Sequence, residues 1–218
     1  MGVPIGPDGA IYVADSNNFR VQILANRGPI GAVGGAPGTP SFLDPVGVAV
    51  DSHSNLYVTT LVDSTVKVFS PAGILLRTIG SQGTGPGQFN VPEGIAIDRQ
   101  DNIYVSDELG NRVQKFTADG RLLFVWGANA QGAGVHLDYP RGLAVDSAGN
   151  IYVSNLIHGV VQKLAPDGSQ VKVFSLPGFL PTPAGVALDA AGNVYVTDSQ
   201  YEQIVKFSPS GTVLAVWS

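Results

Sequence analysis

One phrase recurs five times in this chain of 218 residues, and nothing else in the sequence restricts its fold as strongly. It reads AIYVADSNNFRVQIL, NLYVTTLVDSTVKVF, NIYVSDELGNRVQKF, NIYVSNLIHGVVQKL and NVYVTDSQYEQIVKF. The anchors are Tyr12, Tyr57, Tyr104, Tyr152 and Tyr195, giving spacings of 45, 47, 48 and 43 residues. A period of that length marks an array of supersecondary units, none of which can bury its apolar face alone.

Each unit opens on a small apolar run, GVPIG, GVAVD, GIAID, GLAVD or GVALD, suited to a strand crowded against an axis. An Asp-led turn such as DSAGN follows, in which the carboxylate bonds nearby backbone and Gly or Asn accepts positive φ. Asp51, Asp98, Asp146 and Asp189 are accordingly read as turn residues rather than catalytic ones. The IYV run makes a second strand and the alternating RVQKF phrase a third. After turns of the ADG, PDG or PSG kind, RLLFVWG and TVLAVWS supply a fourth. Four antiparallel strands per unit predict an all-β fold, a β-propeller of five four-stranded blades. The repeats span approximately 1–34, 46–80, 93–127, 141–176 and 184–218, in one domain. Five blades of a six-bladed propeller are the alternative. Pro4 and Gly6 stand where other units have Ala and Asp, so the first inner strand is expected to pair weakly.

The stretch from Pro92 to Phe116 resembles the NHL repeat, whose P-x-G-I-A-V-D, N-I-Y-V-x-D and N-R-V-Q-K-F phrases it follows closely. The resemblance implies a propeller and no single activity. It also suggests an extracytoplasmic part of a larger bacterial protein, such as a sensor with an appended propeller.

Composition narrows the function further. A net charge of −5 with only 12 Lys and Arg, and no basic run, argues against nucleic acid as a partner. No cysteine is present, so disulfides and thiolate metal sites are excluded. No apolar run approaches the roughly 20 residues of a membrane helix, and Met1 to Ala10 lacks the blocks of a signal peptide.

The start of strand one and the end of strand two share a rim, because they are antiparallel neighbours. The position inside each P-x-G phrase, Val46, Glu93, Arg141 and Ala184, with Met1 in the first unit, therefore faces the channel mouth. Glu93 and Arg141 are expected to pair there, as a solvated ion pair or as a polar clamp for a charged ligand. Asp15, Asp107, Asn155 and Asp198, with Thr60, close the second strands on the same face. They either cap their own loops or hold a hard cation such as Ca²⁺. The following loops offer Phe19, Leu61, Val62, Leu109, Leu156, Ile157, His158 and Tyr201 as a ligand-binding or contact patch. Trp126 and Trp217 are read as blade packing.

His53, His136 and His158 are scattered, and His53 lies on the opposite rim, so no three-histidine zinc site is expected. The zinc lyase of peptidyl-hydroxyglycine looks similar in its blades, but its P-H-G phrase is P-V-G, P-E-G, P-R-G or P-A-G here. No G-x-S-x-G phrase marks a nucleophile. The sequence thus points first to a non-enzymatic scaffold recognising a protein, peptide or small ligand, with self-association through edge blades as a further possibility. A lactonase-like, metal-dependent hydrolase using Glu93, Asp107, Asn155 and Asp198 is the alternative.

Overall fold

Alternation through each IYV and RVQKF phrase sends successive side chains to opposite faces of a strand, and in the second, third and fourth blades both faces of the second strand are buried. The computed structural model describes residues 3–25, 28–35, 42, 44–127, 135–175 and 180–218. It is a five-bladed antiparallel β-propeller. The first blade holds β1 (Ile11–Asp15), β2 (Arg20–Ala25) and β3 (Gly28–Gly34). The second holds β4 (Pro45–Val50), β5 (Leu56–Thr60), β6 (Thr65–Phe69) and β7 (Leu75–Ile79). The third holds β8 (Pro92–Ile97), β9 (Ile103–Asp107), β10 (Arg112–Phe116) and β11 (Leu122–Gly127). In the fourth are β12 (Pro140–Val145), β13 (Ile151–Asn155), β14 (Val160–Leu164) and β15 (Gln170–Ser175), and in the fifth β16 (Pro183–Leu188), β17 (Val194–Asp198), β18 (Gln203–Phe207) and β19 (Val213–Trp217).

The first blade has three strands, not four. Among the described residues its inner segment is reduced to a bridge between Ile5 and Ile11, flanked by bonds from the Tyr12 amide to the Pro4 carbonyl and from the Gly6 amide to the Ala10 carbonyl, and Pro4 has no amide proton to extend the ladder. Among the described residues no helix is long and apolar enough to cross a membrane.

The turns between first and second strands are built from carboxylates. Asp98 accepts from the amides of Gln100 and Asn102, the Asn102 side chain and the Tyr104 hydroxyl. Asp51, Asp146 and Asp189 repeat the arrangement on their own Asn and Tyr. Near the axis, glycine is required for space: a Cβ on Gly47, Gly94 or Gly142 would stand 2.3, 2.2 or 2.1 Å from a carbonyl oxygen of the next blade. Those carbonyls, of Glu93, Arg141 and Ala184, each accept a hydroxyl from the preceding blade's second strand, from Thr59, Ser106 and Ser154.

Four apolar cores bind blade to blade. Tyr12, Val21 and Phe42 meet Val58 and Phe69; Tyr57, Val66 and Ile79 meet Ile103, Val105 and Phe116. Tyr104, Val113 and Trp126 meet Ile151, Val153 and Leu164; Tyr152, Val161 and Phe174 meet Val194, Val196 and Phe207. Phe42, Phe89, Leu137 and Leu180, in the connections between blades, are at most 2 % exposed and fill these interfaces. Among the described residues no such core joins the fifth blade to the first.

Candidate functional site

Pairing of Pro92 with Asp107 and of Pro140 with Asn155 puts the P-x-G positions and the ends of the second strands on one rim. On that rim Glu93, from β8, lies beside Glu108, which directly follows β9. The Glu108 charge acts directly on the Glu93 carboxyl. Arg141, at the start of β12, gives both Nε and Nη2 to Glu108 Oε1, at 3.2 and 3.0 Å. Glu108 is 7 % exposed, and its amide is anchored on the Val91 carbonyl. Burial pushes the Glu93 carboxyl above its ordinary value, the neighbouring Glu108 charge pushes it further, and Arg141 pulls it back in part.

The expected pair of Glu93 with Arg141 is therefore replaced by a chain of three, with Glu108 in the middle. Sequence reasoning passed over Glu108 because its loop was searched for apolar tips. The signal was available, since the same column holds Ser16, Leu61, Leu156 and Ser199 in the other blades.

Below the mouth, Ile95 and Leu143 continue the same strands into a cavity of about 270 Å³, walled also by Val48, Val186, Ala49 and Ala96. Glu93 and Arg141 precede the cavity-lining residues Ile95 and Leu143 on the same strands. A larger hollow of about 350 Å³ opens on the opposite rim beside Asp98, Asp146 and Asp189. The carboxylates there are already engaged in their turns, so it offers less chemistry than the mouth. Met1 lies outside the described residues.

The other rim positions turn inward to their own blades. Asp15 accepts from Asn18, Arg20 and Gln22 at 2.8, 2.8 and 2.7 Å, and these bonds hold its carboxyl at about 2. Asp107 accepts from the Asn90 amide at 2.6 Å and from Arg112 Nε at 2.8 Å. Burial pushes its carboxyl up while those donors pull it back. Asp198 takes the amides of Thr182, Gln200 and Tyr201, and Thr60 is tied to Asp63 and Thr65. Asn155 gives its amide to the His136 carbonyl and Gln162, leaving Oδ1 buried without a partner.

A carboxylate-held Ca²⁺ does not fit this donor set. The oxygens of Asp15, Asp107 and Asp198 are occupied within separate blades, Asn155 Nδ2 donates, and Glu108 already carries a guanidinium. Among the described residues no three His, Asp or Glu side chains are grouped to hold a metal ion. His53 lies 3.5 Å from Asp101 in the next blade's turn, and His158 contacts Asp138, in the connection before its own blade, at 2.7 Å. Of the apolar loop residues, Phe19, Val62, Leu109, Ile157 and Tyr201 are exposed, while Leu61 and Leu156 are half-buried.

Residues 46–124 match a family model described as a 6-bladed beta-propeller, residues 2–24 the NHL repeat, and residues 132–154 a beta-propeller repeat. No curated protein matches the sequence. Among solved structures, a streptogramin B lyase is 17 % identical with a TM-score of 0.75, over 100 % of this chain and 67 % of that one. A catalytically inactive virginiamycin B lyase from Staphylococcus aureus, solved with quinupristin, is 14 % identical at 0.73, over 99 % of this chain and 69 % of that one. A gluconolactonase from Xanthomonas campestris is 18 % identical at 0.74, over 98 % and 74 %. At such identities the likeness is one of fold.

Two expectations are corrected by these matches. The NHL assignment rested on Pro92 to Phe116, which falls within the six-bladed propeller match, whereas the NHL model reaches only the first repeat. The likeness over nearly the whole chain is to lyase and lactonase propellers. The non-enzymatic scaffold, with its protein-binding and sensor roles, is overturned by the same finding, since those propellers are catalytic by name.

Proposed function

We propose that this chain is an enzyme that opens a cyclic ester at its channel mouth, with Glu93 as the proton donor. The observation that carries the reading is the Glu108 carboxylate clamped by Arg141 on the rim that also bears Glu93, whose carboxyl is raised by burial and by the Glu108 charge. The likeness to lyase and lactonase propellers supports it. Breaking the acyl C–O bond of the ring leaves an alkoxide unless a proton arrives as the bond parts, and a carboxyl whose burial favours its protonated form is suited to give one. Glu108, held by Arg141 at 3.0 Å, keeps its charge beside the Glu93 carboxyl. Arg141 is about a third exposed, which leaves part of its guanidinium to stabilise charge on a substrate carbonyl oxygen.

Hydrolysis adds water across the carbonyl carbon and the departing oxygen. Elimination removes a carbon-bound proton instead, with Glu108 as the base. In hydrolysis the departing alkoxide takes the Glu93 proton, which the attacking water restores, whereas in elimination the departing oxygen leaves as a carboxylate and a C=C bond forms, so the products tell them apart. The test is turnover of a sugar lactone and of quinupristin, followed by mass spectrometry. Wild-type protein should open one of them, and Glu93→Gln should lower kcat roughly 10²-fold or more with the fold retained. Absence of turnover on both, or an unimpaired Glu93→Gln variant, would sink the reading.

A further inference from the structure

On the rim opposite the channel mouth, the second and third blades are joined by a carboxylate that crosses between their turns. Ser52, second in the DSHSN turn, gives its amide to Asp101 Oδ1 at 2.9 Å and its hydroxyl to Asp101 Oδ2 at 2.7 Å. Asp101 is fourth in the DRQDN turn of the next blade, so one side chain closes the gap with both oxygens. At the following two interfaces that partner is missing, because the fourth position is glycine, Gly149 in DSAGN and Gly192 in DAAGN. Arg99 and Ser147 hold the place of Ser52 there. Among the described residues, neither the Arg99 guanidinium nor the amide and hydroxyl of Ser147 has a hydrogen-bond or ion-pair partner.

Arg99, Ser147 and Gly192 line the same hollow of about 350 Å³. Its apolar part comes from Ile97, Val145 and Leu188, the last residues of β8, β12 and β16. Asp98, Asp146 and Asp189 also line it, but each is bonded within its own turn and paired with a lysine, Lys115, Lys163 or Lys206, at 3.6, 3.2 or 3.6 Å. Three carboxylates against three lysines leave the charge of Arg99 uncompensated.

We propose that this hollow is a second ligand site, for a small monocarboxylic acid whose carboxylate takes at Ser147 the place that Asp101 takes at Ser52. One oxygen accepts the Ser147 amide and the other its hydroxyl, charge-assisted bonds of the stronger kind, and Arg99 supplies the countercharge. An apolar stem rests on Ile97, Val145 and Leu188, the division of labour usual in small-molecule pockets. A second negative charge would stand beside Asp98, Asp146 and Asp189, so a diacid is disfavoured. The site is built by the third, fourth and fifth blades on the rim away from Glu93 and Arg141, and it does not depend on the reaction proposed there.

Titration of nitrogen-labelled protein with isovalerate, followed amide by amide in NMR spectra, tests this. The Ser147 amide should shift saturably at millimolar acid, while the Ser52 amide, already bonded to Asp101, should stay in place. Isoamyl alcohol, of similar shape without the charge, should leave Ser147 unmoved, and succinate should bind more weakly than isovalerate. Gly192→Asp should remove the response, because it supplies the carboxylate from within. The residue fits: Asp101 already adopts a φ of 60° against 79° at Gly192, and a Cβ on Gly192 would stand 3.5 Å from Pro209 Cγ. Arg99→Gln should raise Kd roughly tenfold. The amide spectrum of each variant also shows whether its fold is kept. A Ser147 amide that does not move, an equal response to the alcohol, tighter binding of succinate, or a folded Gly192→Asp or Arg99→Gln protein that binds as wild type does overturns the proposal.

Discussion

Burial and the Glu108 carboxylate both disfavour the ionised form of Glu93, and Arg141 offsets this only in part because it is already bonded to Glu108. A group whose carboxyl is raised by folding stabilises the native state below its unfolded value, and that contribution disappears as pH rises through the folded value. Wild-type protein should therefore lose stability above the ordinary carboxylate range, near 4.3, as the pair is forced toward two charges. The Glu93→Gln variant cannot ionise there, so its Tm should gain on wild type with rising pH; a difference independent of pH would contradict the assignment. Asp15 has the opposite sign: held at about 2 by Gln22, Arg20 and Asn18, it contributes above its unfolded value and ceases to only in strong acid. Asn155 shows why a neighbouring column matters. Asp15 and Asp107 face Arg20 and Arg112 across the strand pair and Asp198 is held by three backbone amides, but Asn155 faces Val160, where a carboxylate would be buried without a cation. That substitution was legible in the sequence. The orphaned Oδ1 was not, because it depends on which way the amide turns.

The inner strands illustrate how far a repeat can be read as geometry. Small residues in GVAVD, GIAID and GLAVD predict crowding at the axis, and Gly47, Gly94 and Gly142 show its cause, a carbonyl of the next inner strand just over 2 Å from where a Cβ would stand. Neither neighbour is the flexible end of a side chain, so relief requires the strands themselves to part. Gly94→Ala should cost about 3 kcal/mol, the upper end for overpacking. It should also weaken the bond from the Gly94 amide to Ser106 Oγ, now 2.7 Å. Denaturant unfolding measures the first effect, and a change below about 0.5 kcal/mol, the range of an ordinary surface substitution, would refute the close approach. The first inner strand marks the limit of such reading: Pro4 and Gly6 announce weak pairing, but whether a strand survives depends on neighbours the local sequence does not specify.

At the scale of the whole molecule, the columns that make the fold legible are also what conceals its open side. Trp217 and Ile204 carry the same pattern as Trp126 and Val113, so the sequence predicts blade packing for both tryptophans, yet only Trp126 is buried. Burial depends on what lies beyond the blade, and a repeat motif contains no information about that. In a quasi-one-dimensional array the stability of each unit is its own plus that of its two interfaces. The second, third and fourth blades have two apolar interfaces, whereas the first and fifth have one each among the described residues. Opening should therefore begin at both ends. In native-state hydrogen exchange at low protein concentration, amides of β9 should be protected about tenfold or more beyond those of β17 and β1, which hold the same place in their blades. β5 and β13 should follow β9. Equal protection across all five blades would mean that the first and fifth are as well supported in solution as the rest, and would require a contact between them that the apolar cores do not supply.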